Sequence, residues 1–414
     1  MKKLAIFLIV LFISISNSNA QSETCDCKKD LDFVVEKIKK MPSYKKQIKD
    51  KKLVEFNTTY NQLVLKMKQP IPLVDCFKLL QQQLMIVNDI HTNIYFEKEV
   101  LTKEDIENEI KLLEFKTSNV FKNHPKTNRN LIELKNELKQ KPDSSLEGIY
   151  NYKGIQKIGI YLSENKKNLI GVVLESSVDS WEAGEIRFYA THTTGNKYNV
   201  LDYNITSRSP SMMKSLSFEN GRLWSYKKLK NTLNYEFAPK ENSNLEFKQL
   251  TNNVQYLYFK NFSSFSAKNR KAFKVFYEEV KNKLTAKNII VDLRNNGGGN
   301  KKLSDPFLKL LRGKNVFIIT NSYTVSNAEQ FTVKLKKIKN AIHLGQVTMG
   351  AISYGMNYGY DYSTPSGFFR ILPTDMDFHK FIKYEGKGVT PDIALLFDRD
   401  WIEQTLEVIK NTNL

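Results

Sequence analysis

Asn288-Ile289-Ile290-Val291-Asp292-Leu293-Arg294-Asn295-Asn296-Gly297-Gly298-Gly299 is the stretch that decides the fold: an apolar strand that runs straight into three glycines. Glycines at the C-terminal end of a strand let the backbone come close to a ligand and leave N–H groups pointing outward. On either side the pattern alternates. Val254 to Phe259 reads as a strand, Lys268 to Leu284 as a helix, and Asn315 to Thr320 and Ala341 to Gly345 as further strands. Alternation of this kind predicts an α/β core with a mostly parallel sheet over residues 251–414.

Upstream the pattern changes twice. Between 146 and 240 short β-prone runs such as Ile158-Gly159-Ile160-Tyr161-Leu162, separated by Asn, Gly and Ser, predict a β-rich insert. From 21 to 140, apolar residues three and four apart, as in Leu31, Val34, Val35 and Ile38, predict an N-terminal helical region. Lys2 and Lys3, an apolar run from Leu4 to Ile15 and Ser18-Asn19-Ala20 predict a signal peptide over 1–20. The expected product is exported, periplasmic or extracellular, without a stable membrane anchor. An oxidising compartment permits one disulfide, Cys76 with Cys25 or Cys27, in preference to a metal site, because no nearby histidine completes a ligand set. The formal charge of +19 is spread along the chain in stretches that read as solvated helix faces, which argues against nucleic-acid binding.

The second chemical marker is Thr320-Asn321-Ser322-Tyr323-Thr324-Val325-Ser326-Asn327-Ala328-Glu329, where a strand ends and a helix begins at Ser326. There the helix N-terminus favours developing negative charge on a hydroxyl. Taken alone, the segment reads first as a capping box, with Ser326 as N-cap and Glu329 three residues on. Phosphate binding is the rival for the glycines, and the absence of GxxxxGK[ST] and GxGxxG strings argues against a nucleotide.

Together the two markers resemble the serine peptidases that include the C-terminal processing (tail-specific) proteases, the tricorn core and the interphotoreceptor retinoid-binding repeats. The DLRxNxGG strand end is matched by Asp292 to Gly299, the serine helix start by Ser326 to Glu329, GxxTxG by Gly345 to Gly350, and G-V-x-P-D by Gly388 to Asp392. Asp89-Ile90-His91-Thr92 resembles the family's D-G-H-T. The resemblance implies a ClpP/crotonase-like core and a serine-type peptidase that needs no metal or organic cofactor. Its tail-specific members place a lysine where this chain has Ala351, which argues against a Ser-Lys dyad. The tricorn-like arrangement implies Ser326 as nucleophile, His91 as base and Glu385 as the acid that orients it, with backbone N–H groups of Gly298 or Gly299 and of Asn327 at the oxyanion. Tricorn-like members carry a serine before the histidine where this chain has Ile90, so Asp89 is an alternative orienting acid.

Among the other histidines, His343 falls in an expected buried strand, His124 and His192 fall in polar loop-like stretches, and His379 is the reserve base because of its closeness to Glu385. The insert, with Trp181, Tyr189, Tyr198 and Trp224, has no recognisable carboxylate-binding loop of the PDZ kind. Peptides or unfolded proteins are the expected substrates, and oligomeric state is unreadable. The rival reading is an inactive member of the fold that binds a peptide or small apolar ligand. An esterase would show a G-x-S-x-G elbow, and Val325-Ser326-Asn327 has no flanking glycines.

Overall fold

The computed structural model describes residues 24–97, 101–228, 235–239 and 243–412, so the expected signal peptide at 1–20 lies outside the described residues. Helices α1 (Cys27–Lys40), α2 (Pro42–Gln47), α3 (Asp50–Lys66) and α4 (Leu73–Leu84) come first. Leu31, Val34, Val35 and Ile38 of α1 meet Phe77, Leu80 and Leu84 of α4 in one buried cluster, the face their spacing predicts. Cys27 is joined to Cys76 across these helices, and Cys25 is a buried free thiol. After α4 comes β1 (Asn93–Phe96), which pairs antiparallel with a strand near the other end of the chain, Phe369–Leu372.

Three short helices between 103 and 122 lead to α5 (Leu131–Gln140). Leu134 and Leu138 of α5 pack on Tyr161, Val172 and Leu174 of the β-rich part, so this helix belongs in packing terms to the insert rather than to α1–α4.

The insert is a closed antiparallel barrel. Its strands are β2 (Gly148–Tyr152), β3 (Gln156–Leu162), β4 (Leu169–Ser176), β5 (Ile186–His192), β6 (Lys197–Tyr203), β7 (Pro210–Glu219), β8 (Arg222–Leu223) and β9 (Tyr226–Lys228), in the order β8-β9-β2-β3-β4-β5-β6-β7. Closure removes unpaired edges, and an eight-stranded barrel is narrow enough for side chains to fill. Tyr150, Ile158, Phe188, Val200, Phe218 and Tyr226 are among those that fill it.

The last part is the α/β core. A six-stranded sheet runs β10 (Leu245–Thr251), β11 (Val254–Phe259), β12 (Asn288–Asp292), β13 (Asn315–Thr320), β14 (Ala341–Gly345) and, after β15 (Phe369–Leu372) outside the sheet, β16 (Ile393–Ala394). All neighbours are parallel except the β10–β11 pair. Alternate residues of each strand serve opposite faces. Ile289, Val291, Val316 and Ile318 pack against α6 (Ala267–Lys283), α7 (Lys301–Leu310) and α8 (Asn327–Leu335) through Phe276, Phe307 and Phe331. Ile290, Phe317 and Ile319 face the other way, toward Trp401 of α9 (Trp401–Asn411). A sheet covered on both sides explains the unbroken apolar reading of β12 and β13.

Candidate active site

Ser326 lies at the turn from β13 to α8 with φ 60° and ψ −123°, a conformation that costs a non-glycine residue energy and gathers at functional sites. Its backbone N–H donates to Glu329 Oε2 (2.9 Å), the Glu329 half of the capping box. The glycine that this sharp turn needs comes from another segment. A Cβ at Gly298 would sit 2.7 Å from Ser326 Cβ and from the Val325 carbonyl oxygen, so only glycine allows the two loops to pack. Gly299 is pressed as closely on the Phe262 backbone, with φ 135°.

The glycine loop is fixed from below. Arg294 donates to Asp292 through Nη2 (2.6 Å) and Nε (3.0 and 3.1 Å), both side chains buried, and Tyr256 Oη donates to Asp292 Oδ2 (2.9 Å). Arg294 Nη1 also donates to the carbonyl of Tyr235 (2.8 Å). A buried ion pair survives when its remaining donors and acceptors are satisfied, and here they tie the loop to the underside of the sheet. Across the top, Val325 N–H donates to the Asn296 carbonyl and Thr324 Oγ1 to the Leu293 carbonyl, joining the glycine loop to the serine turn.

Of the expected oxyanion donors, Gly298 N–H is taken up by Asn296 Oδ1 (2.9 Å). Among the described residues no acceptor takes up the N–H of Gly299 or of Asn327, and the Asn327 nitrogen is 3.0 Å from where a Gly298 Cβ would be. The serine turn and the Gly298 loop thus meet at the N–H that follows Ser326.

Glu329 does much more than cap. Its buried carboxylate accepts from Thr348 Oγ1 (2.6 Å), Gly350 N–H (2.7 Å) and Ala351 N–H (2.9 Å) besides Ser326 N–H. Thr348 Oγ1 in turn accepts from Val389 N–H (2.7 Å), so the GxxTxG and G-V-x-P-D motifs meet at one hydroxyl. Burial pushes the Glu329 carboxyl above its ordinary pKa, and these hydrogen bonds oppose the shift. The capping pattern identifies Glu329 in the sequence, but its distant partners carry no local signal.

The next two residues reach the histidine side. Ile352 and Ser353 N–H donate to Glu385 Oε2 (2.9 and 2.7 Å), and Ile90 N–H donates to Glu385 Oε1 (2.8 Å). Burial raises the Glu385 carboxyl to about 7. Glu385 therefore grips the backbone one residue before His91, where the tricorn-like pattern has its serine, and does not hydrogen-bond the ring. Asp89 accepts from Thr374 Oγ1 (2.6 Å) and Thr92 N–H (3.3 Å), again not from the ring. His91 Nδ1 is buried without a partner among the described residues, and burial holds the imidazole below its ordinary pKa.

The other histidines are engaged elsewhere. His379 meets Tyr354 Oη through Nδ1 (2.6 Å), and Tyr354 Oη accepts from Gln47, which also clasps Asn88. His343 is buried in β14 against Thr320 Oγ1 (2.7 Å), as expected. His124 lies in a loop, as read, although it packs inward, whereas His192 sits in a strand. His124 packs between Trp181 and Tyr203 and reaches the Ile186 carbonyl, and His192 ends β5. Among the described residues the one group of potential metal ligands is Cys25, Cys27 and Cys76, two of which form the disulfide. No described helix is long and apolar enough to cross a membrane.

Residues 301–395, which hold Ser326, Glu329, Thr348 and Glu385, match the model of peptidase family S41. The family recognised from the motifs and the family of the model coincide, and this segment is that of a serine-type peptidase, a hydrolase. Similar solved structures include mature CPAF (12% identity, 94% of this chain and 99% of that one, TM-score 0.43) and a peptidase from Parabacteroides merdae (14%, 92% and 96%, TM-score 0.40). The photosystem II D1 C-terminal processing protease is a third (12%, 93% and 97%, TM-score 0.36). Comparison with curated proteins gives no match.

Proposed function

We propose that the chain is an exported endopeptidase or processing protease that cleaves peptide bonds through an acyl-enzyme on Ser326, on a ClpP/crotonase-like core. The observation that carries this reading is the strained Ser326 backbone, held at a strand–helix turn by Glu329 and packed on Gly298. Strain at one half-buried serine, supported by four motifs, has a purpose when that hydroxyl must reach a substrate.

In the proposed reaction Ser326 Oγ bonds to the scissile carbonyl carbon while its proton passes to His91. Nδ1 is the buried ring nitrogen, which leaves Nε2 to take it. A lowered pKa keeps the imidazole neutral and ready to accept at neutral pH. The oxyanion is stabilised by the N–H of Asn327 and by a glycine N–H of the loop, Gly299 in preference to the engaged Gly298. The C–N bond then breaks, the amine leaves with the His91 proton, and water repeats the sequence on the ester to release the acid and restore Ser326. Glu385 acts on His91 through the Ile90 backbone.

The test is digestion of an unfolded protein and a mixed peptide library, with products read by mass spectrometry. Wild type should cleave and Ser326→Ala should not; equal cleavage by both would remove Ser326 from the reaction.

A further inference from the structure

The barrel reaches into the catalytic centre. Between Tyr198 and Val200 of β6 lies one residue, whereas the opposing stretch of β7 between Met213 and Leu216 holds two, Lys214 and Ser215. This is a β-bulge, and Ser215 takes φ 57° within it. Bulges beside active sites re-aim side chains, and this one turns both of its residues out of the barrel. Lys214 Nζ donates to the carbonyls of Asp89 (3.0 Å) and Thr92 (2.5 Å), which flank His91. Ser215 Oγ donates to the Met349 carbonyl (2.6 Å) and lies 3.2 Å from that of Gly386. From β6, Lys197 Nζ donates to the Thr348 carbonyl (2.7 Å) and to Ser217 Oγ (2.7 Å).

Both lysines are buried, and neither forms an ion pair among the described residues. A buried ammonium is expensive even with acceptors, here carbonyls and, for Lys197, the Ser217 hydroxyl; burial brings each lysine down to about 8, opposed by the carboxylates of Glu329 and Glu219 at Lys197 and of Asp89 and Glu385 at Lys214.

We propose that the barrel is a positioning element of the catalytic centre, in which Lys214 and Ser215 of the β7 bulge and Lys197 of β6 set the His91 and Thr348 segments in working register. This rests on the reading of Ser326 and His91 as the reacting pair. None of the three residues touches substrate; they act through main chain. Lys214 has a second effect, because its charge opposes a charge on His91. The other groups facing His91 are Asp89 on its own segment, which favours the imidazolium, and the Glu385 carboxylate at Ile90.

The experiment compares the rate and pH profile of labelling by a fluorophosphonate probe in wild type, Lys214→Met, Lys214→Gln, Ser215→Gly and Lys157→Met. Lys157 is a barrel lysine paired with Glu175 away from the site and should change nothing. Lys214→Met should slow labelling about 10- to 100-fold, the usual cost of small misplacement of a reacting group. Lys214→Gln, which can still donate, should recover part of that rate. In both, loss of the positive charge raises the His91 pKa, so the acid limb of the profile should move to higher pH, which a loss of packing alone would not cause. Ser215→Gly keeps the positive φ but loses the hydroxyl, and should slow labelling without loss of thermal stability, a readout that survives if the lysine variants fail to fold. Folded variants that label at the wild-type rate and pH would overturn the proposal. A wild type that does not label at all would instead remove the serine-hydrolase reading, and the proposal with it.

Discussion

Ser326 is held at φ 60° and ψ −123° because the turn, not the residue, decides its backbone. Ser326→Gly should therefore be inactive yet more stable, by about 1–2 kcal/mol once the extra flexibility of glycine in the unfolded chain is set against the strain relieved. Chemical denaturation checks this, and a less stable glycine variant would mean the conformation carries no strain. Glu385 gives a pH prediction. Its folded pKa of about 7 lies above the ordinary carboxyl value, so the stability it contributes is complete at low pH and is lost as pH rises toward 7. Urea melts at pH 4.5 and 7 should show that loss in wild type and a smaller one in Glu385→Gln; equal slopes would contradict it. At this scale the sequence suggests Ser326 and His91 because each sits in a short motif, and Glu385 because it shortly precedes the G-V-x-P-D motif. It does not reveal that Glu385 binds the Ile90 backbone, or that Gly298 lies under Ser326, since these contacts join segments far apart in the chain.

Among the elements, α8 is the one most tightly bound to the site, through a single carboxylate with four donors. Glu329→Gln sets an amide NH2 against those donors and should destabilise the protein by about 3 kcal/mol or more while abolishing activity. A stable, active Gln variant would show that the hub is dispensable. The core strands were legible because burial on both faces leaves an unbroken apolar run, as in Ile289-Ile290-Val291. The barrel was legible only as short strands. Its closure depends on β8 and β9, two and three residues long, and β7 carries a bulge at Lys214-Ser215, none of which periodicity detects. Likewise α5 shows its apolar face in its spacing but not that the face meets the barrel.

For the whole molecule, the Cys27–Cys76 bond closes a loop with a sequence separation of 49 and ties α1 to α4, the helix that leads into the His91 segment. Reduction should lower stability by about 4 kcal/mol from loop entropy. Thiol titration should find one thiol, Cys25, and only after unfolding, because it is buried and its thiol is raised to about 12. Two spacings fitted the sequence equally, and only the placement of α1 against α4 separates them. In the proposed function these parts converge to activate one serine hydroxyl. Intact-mass measurement of wild type and Ser326→Ala after exposure to a fluorophosphonate probe tests it most directly. One adduct on wild type and none on Ser326→Ala is the predicted result; labelling of both, or of neither, would contradict it.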